Sequence, residues 1–483
     1  MIASKAIDLI KTFSQDEFRK FGLFISSPYF NKENIQIRFY SLLKKYYPEF
    51  DNRNFEKEKV FVKLYPGKKY NDGVMRNILS GMLDLAENFL AIQHLQNKKF
   101  NYKLSLMKEL SERKMEKLFE KAESEAEKIL NGSIAKDEIY YYQSFELALE
   151  KKRYKEKLKS TLYSSDNLLQ SMSDNLTISF LILMLGNNTY IANSNLKMFQ
   201  FDPSPSLNEL EIYLEKESGN YKDVTYIQYY YNAFKLARTQ DEKYFYEMKK
   251  LADTSYSLLL EKERRDIFTL LTNYCYYKIN KGDLHFRKEH FLLHKENIER
   301  GYYKGERNFL SHIQYLNVVV TGLDAKEIKW VEEFAGNYKK DLDDVNRENT
   351  YNFCRALIYY HHKLYSNALD WAAKVKTDDL SYKHQLKSLY LKVYYDMNET
   401  EPFYSHIDSY RHFLMNQKNI PEVTRHVISS YVNFTKRLFD IKNKTAADSY
   451  DLFRLKKEIT DNKSMINKIW LLDKINEIEI SRG

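Results

Sequence analysis

A chain of 483 residues that places only 13 glycines and 7 prolines has few means of turning sharply. Glycine supplies the positive φ of tight turns and proline the fixed φ that ends a helix. Their scarcity therefore argues against hairpin-rich β structure and for long helices joined by short connections. Each proline stands where a connection is expected. With 43% hydrophobic residues the chain can bury a large core, divided into several domains or spread along one extended array.

The stretch from Tyr351 to Val375 shows the helical pattern most clearly. Phe353, Ala356, Leu357 and Tyr360 recur at three- and four-residue steps, and a polar turn is expected at His362 and Lys363. Tyr365, Ala368, Leu369, Ala372 and Val375 then resume the spacing, with alanines where two helix axes must approach closely. Neither helix could bury its apolar face alone. Ala356, Tyr359, Tyr365 and Ala368 are placed as in the tetratricopeptide repeat, which the segment resembles. Arg355 stands where that family prefers leucine, and no proline closes the pair. Aromatics that would open the second helix of comparable pairs are Tyr244, Phe286, Trp330, Tyr365 and Phe403, at spacings of 42, 44, 35 and 38 residues.

Around this array the sequence suggests further divisions. Residues 1–96 read as an N-terminal helical domain. Ser14 and Glu17 form a capping box for a helix from Gln15 to about Ile25, a second helix is expected from about Glu33 to Tyr47, and Asn71 or Asp72 caps a long one. Residues 97–200 form a charged helical region with many i,i+4 pairs. The proline-rich stretch 201–206 is the expected boundary before repeats over 207–420. Pro421 is expected to break the array, Glu422 to Phe439 to be a helix, Lys442 to Ala447 a loop, and 421–483 to cap the end with a polar outer face. The expected fold is thus all-α: a right-handed α-solenoid of tetratricopeptide-like helical hairpins, with an N-terminal helical domain and a C-terminal helical cap.

The segments EFRKFGLFISSPYFNKE, KLYPGKKYNDGVMRNILS, NYCYYKINKGD, WVEEFAGNY and SLYLKVYYDMNE resemble an uncharacterised bacterial family of all-helical proteins with tetratricopeptide-like repeats. That resemblance runs nearly end to end and implies no activity.

Signs of chemistry are few. Cys275 and Cys354 are the only cysteines and both lie in apolar helical stretches, so no disulfide framework or zinc ribbon is available and a reducing cytoplasm fits. The first thirteen residues lack a secretory apolar core, and the longest uncharged apolar run, Ile178 to Leu185, is too short to cross a bilayer, so no membrane segment is expected. Gly67-Lys68-Lys69 lacks the earlier glycine and the following Ser or Thr of a phosphate loop. His290 and His294 share a helix face with His285 just before, yet match neither zincin order, and His361-His362 read as solvated turn residues. No dinucleotide fingerprint, nucleophile elbow or Cys-x-x-Cys occurs, so no catalytic residue, metal or cofactor is expected.

The 41 tyrosines either fill helix seams, with their hydroxyls reaching water or carbonyls, or line a peptide groove. A net charge of 76 minus 67, or +9, is a mild bias. The densest basic run, Lys151 to Lys159, reads as a solvated face. The function expected is a non-catalytic interaction scaffold binding a protein or peptide partner. By the tetratricopeptide analogy, first helices line the concave surface, with Phe353, Leu357, Tyr360 and His361 facing it. The alternative is a nucleic-acid-associated regulator touching phosphates through the N-terminal helices, near Lys68, Lys69 and Arg76, or through the basic run.

Overall fold

The computed structural model describes residues 2–158, 166–195, 206–304, 309–376, 380–417, 419–444, 449–462 and 465–482. Lys159, the proline-rich connector at 201–205 and residues 445–447 of the expected loop lie outside them. Among the described residues the chain is all-helical, with twenty-three α-helices, no strand, and one isolated bridge between Leu310 and Leu342. It forms two compact units, 1–133 with 138–179, and 134–137 with 180–483.

The first unit begins with α1 (Lys5–Lys11), α2 (Gln15–Ser26), α3 (Asn34–Leu43), α4 (Lys57–Leu64) and α5 (Asp72–Asn97). The capping box forms: the Glu17 N–H donates to Ser14 Oγ at 3.3 Å and the Ser14 N–H donates to Glu17 Oε2 at 2.7 Å. Asn71, not Asp72, caps α5, accepting from the Val74 N–H. The second expected helix stops at Leu43 because Tyr47 leaves it to stack on Phe18 at 4.0 Å and donate to the Phe13 carbonyl at 2.5 Å. Gly22 is needed where α2 meets α3, since a Cβ there would lie 2.5 Å from the Tyr40 ring. Apolar residues from Ile2 to Phe89 make one cluster. A second joins α6 (Lys99–Glu112), α7 (Glu116–Asn131) and α8 (Glu138–Lys157).

The division between units falls within α9 (Asp166–Asn195). Its stretch Asn167–Ile191, longer than the uncharged run inside it, is long and apolar enough to cross a bilayer by length and composition alone. Its buried residues include Leu181, Ile182 and Leu185, and Thr189 Oγ1 donates to the Tyr230 carbonyl at 3.3 Å, as in a helix packed into protein on one side.

The second unit continues with α10 (Ser206–Lys216), α11 (Thr225–Thr239), α12 (Glu242–Thr254), α13 (Glu261–Asn280), α14 (Phe286–Glu299), α15 (His312–Asp324) and α16 (Ile328–Asn337). It ends with α17 (Arg347–His361), α18 (Tyr365–Ala373), α19 (Leu380–Met397), α20 (Thr400–Asn416), α21 (Glu422–Asn443), α22 (Ser449–Asp461) and α23 (Lys468–Arg482). Five successive pairs, α11 with α12 through α19 with α20, share one closing device: a left-handed residue at Gln240, Gly282, Lys326, Lys363 or Asn398. After α17 the Leu364 N–H donates to the Tyr359 carbonyl at 3.0 Å and the Lys363 N–H to that of Tyr360 at 2.9 Å. The same pair of bonds recurs at Asp283 to Lys278, Glu327 to Gly322 and Glu399 to Tyr394, each with its inner partner. This is the Schellman closure, which satisfies the last carbonyls of a helix and turns the chain back.

All five marked aromatics fall at or near the start of a second helix. At two of them the wholly buried position is one residue further on, Phe245 instead of Tyr244 and Val331 instead of Trp330. Helices pack on their neighbours in sequence, and first helices also pack on each other, α11 on α13, α15 on α17 and α17 on α19. Gly322 allows α15 and α16 to approach closely, since a Cβ there would meet Val331 Cγ2 at 2.4 Å.

Pro402 is an exception to the expectation that prolines lie in connections. It occupies the first turn of α20, where no helical acceptor is needed for its missing N–H. Nor does Pro421 end the packing, because residues from Leu391 to Ile478 share one apolar cluster. The helix after it runs to Asn443, so Lys442 is helical, and its Nζ donates to the Tyr395 carbonyl at 3.0 Å.

Lys363 holds φ of 61° at an exposed turn, a conformation glycine adopts without steric cost. Lys363→Gly is expected to stabilise the chain by about 0.5–1 kcal/mol. A urea-unfolding midpoint that falls would contradict this assignment of the turn.

Candidate functional site

The pair α17 and α18 forms as the sequence suggests, with Ala356, Ala368 and Ala372 wholly buried between the axes. Arg355 fills the place of the missing leucine by stacking. Its guanidinium lies 4.8 Å from the Tyr359 centroid and 5.8 Å from that of Trp371, and Nη2 donates to the Tyr359 hydroxyl at 2.9 Å.

The four expected partner-facing residues do not share an open surface. Phe353 is buried at 2% exposure and packs its ring edge-on against Tyr382, and Leu357 is half-buried against the same cluster. Tyr360 is also buried. Its hydroxyl donates to Asp396 Oδ2 at 2.6 Å and accepts from Trp470 Nε1 at 2.8 Å. His361 is half-buried, not a solvated turn residue, and burial pushes its imidazole down to about 4, with Lys392, His362 and Lys474 acting in the same direction. The physical reason for the correction is that later helices cover this face: α19 sets Tyr382 against Phe353, and α23 sets Trp470 on Tyr360.

α23 is held on two sides. Leu471, Ile475 and Ile478 enter the apolar cluster it shares with α21 and α22. The other side carries polar partners at helical spacing. Trp470 reaches Tyr360 on α17, Asp473 pairs with Arg287 of α14 at 3.2 Å, and Lys474 pairs with Asp396 of α19 at 2.8 Å. Burial pulls the Lys474 ammonium down, but Asp396 and Glu477 more than reverse this and leave it above its ordinary value. Nearby, Lys392 donates to Asn467 Oδ1 at 2.8 Å, and burial lowers it to about 8 against the opposing pull of Asp324 and Asp396. Polar groups of the expected cap are therefore turned inward and satisfied.

On the opposite side of α19 the surface is open. A cavity of about 290 Å³ lies between α19 and α20, floored by Leu386, Tyr390, Tyr394, His406 and Phe413. Lys383 and Lys387 edge it. His406 Nε2 donates to the Lys387 carbonyl at 2.8 Å, and its ring sits 5.7 Å from both Tyr390 and Tyr394, which fixes the aromatic floor. Lys387 Nζ donates to Ser409 Oγ at 3.0 Å and lies 5.6 Å from the Phe413 centroid, with burial pulling the ammonium down. The sequence signal for this site was a helical face of Leu386, Tyr390 and Tyr394 interrupted by lysines at 383 and 387, where a simple core stripe would carry no charge.

The remaining candidates resolve structurally. The His290 and His294 rings lie 5.0 Å apart with their planes tilted, and burial lowers them to about 3 and about 4. Among the described residues no group of three His, Cys, Asp or Glu is arranged to hold a metal ion. Cys275 and Cys354 are buried, which raises both thiols. In the basic run, Lys151 pairs with Glu123 and Glu127, Lys152 with Glu156 and Lys157 with Glu112. Comparison of the chain with protein-family models, curated proteins and solved structures finds no match.

Two outcomes follow from the buried groups. Lys474→Met leaves Asp396 buried without its cation and is expected to cost about 3–5 kcal/mol in urea unfolding; a loss below 1 kcal/mol, about that of an exposed pair, would show the network to be solvated. His290, His294, His361, His384 and His406 all have imidazoles depressed by burial from the ordinary 6.5. A depressed imidazole adds stability above 6.5 that is lost as pH falls toward 4, because the unfolded chain takes up protons first. Thermal midpoints should thus drop steeply between pH 6.5 and 4, and a flat profile there would refute neutral burial of these rings.

Proposed function

We propose that this chain is a non-catalytic scaffold that holds a segment of a protein partner, built as a right-handed α-solenoid of tetratricopeptide-like hairpins. In this reading it belongs with the bacterial helical-repeat proteins its sequence resembles and works in the cytoplasm, where two buried thiols stay reduced. The observation that carries the proposal is the recurrence of one hairpin closure at Gln240, Gly282, Lys326, Lys363 and Asn398, together with packing of first helix on first helix. Repeats stacked in this way produce extended binding surfaces. The α19–α20 groove supplies such a surface with aromatic contact area already ordered. The nucleic-acid reading has less support, because Lys151, Lys152 and Lys157 of its basic run are occupied by carboxylates of the chain itself.

A photo-crosslinking amino acid placed at Tyr394, with exposed Tyr142 as the control position, tests the scaffold in native cells. The expected result is one protein adduct of defined mass from position 394 alone. No adduct, combined with nucleic-acid binding whose log-log salt slope is about −0.9 per neutralised phosphate, would replace the scaffold with the alternative.

A further inference from the structure

We infer that the α19–α20 groove recognises an acidic peptide segment, seating an Asp or Glu carboxylate on the Lys387 ammonium and a large apolar side chain on Tyr390 and Tyr394. The inference rests on the scaffold reading and names the partner chemistry of that surface.

Charge complementarity carries the argument. Several partly buried lysines of this unit are matched by acids, Lys235 by Glu211 and Glu215, Lys249 by Glu289, Lys278 by Glu242 and Asp283, whereas Lys392 and Lys442 donate to an amide oxygen and a backbone carbonyl inside the fold. Lys387 is half-buried too, yet its partners are a hydroxyl and two aromatic faces, Phe413 at 5.6 Å and Tyr410 at 6.0 Å, and no carboxylate lies within ion-pair distance among the described residues. A cation removed from water without a counter-ion is a cost that an incoming carboxylate relieves. The rings also hold the ammonium in place, so little side-chain entropy is left to lose on binding.

Geometry sets the spacing of the segment. Lys387 and Tyr394 are two helical turns apart on one face, about 10 Å along the axis. An extended peptide covers that distance in about three residues. A C-terminal carboxylate carries the same charge as an Asp or Glu side chain, and the peptides below separate the two.

The test uses the full chain and fluorescein-labelled octapeptides with a Gly-Ser background, titrated by fluorescence anisotropy. One carries Glu three residues before Phe, a second has Gln in place of Glu, and a third keeps Phe but has a free C-terminus as its sole carboxylate, the other two being amidated. The Glu peptide should bind about tenfold more tightly than the Gln peptide, a difference of about 1.4 kcal/mol. Lys387→Met should abolish that preference, Lys387→Arg should retain most of it, and Tyr390→Ala should weaken both amidated peptides; unchanged thermal midpoints establish that the variants fold. Equal binding of the Glu and Gln peptides, or tightest binding of the free-terminus peptide, overturns the inference. If the Tyr394 adduct forms equally in Lys387→Met cells, the scaffold stands and the acidic preference falls. If neither adduct nor peptide binding is seen, both fall.

Discussion

The packing of the second unit depends on a left-handed residue at the end of each first helix. With one residue in that conformation, the last carbonyls of the helix find donors in the N–H groups that follow, two of them at four of the five turns, and the chain reverses within a few residues. Reversal sets two amphipathic helices side by side, and small residues such as Gly322, Ala356, Ala368 and Ala372 let them approach. Such a pair still has uncovered apolar surface, which the next pair covers. The buried clusters accordingly run across hairpins, from Ile298 to Val393 and from Leu391 to Ile478.

α19 shows how one helix serves two environments. Ser388, Lys392 and Asp396 face α21 or α23, where hydroxyls, Asn467 and Lys474 satisfy them. Lys387, Tyr390 and Tyr394 point toward α20 and the groove, where among the described residues the ammonium meets a hydroxyl and ring faces. The first side is complete within the chain, so it adds specificity to the fold and offers a partner little. The second combines ordered aromatic area with a charge that has no carboxylate partner among the described residues.

Local order was legible in the sequence because it depends on residues three and four apart. The α2 capping box, the α17–α18 pair and the starts of the second helices all follow from such spacing. Turn closure was less legible, since four of the five left-handed positions carry Gln, Lys or Asn in place of the glycine that signals them. Phe353 and Tyr360 were misplaced for another reason. Periodicity identifies the apolar face of a helix but not what covers it, and Trp470, more than a hundred residues later in the chain, covers Tyr360.

The sequence by itself determined the helical class and the hairpin unit, because scarce glycine and proline together with helical periodicity act over a few residues. Tertiary structure alone decided which sides of α17 and α19 close and which stay open. That choice depends on α23 matching Asp473 to Arg287 and Lys474 to Asp396 across long stretches of chain, pairings that no local pattern encodes.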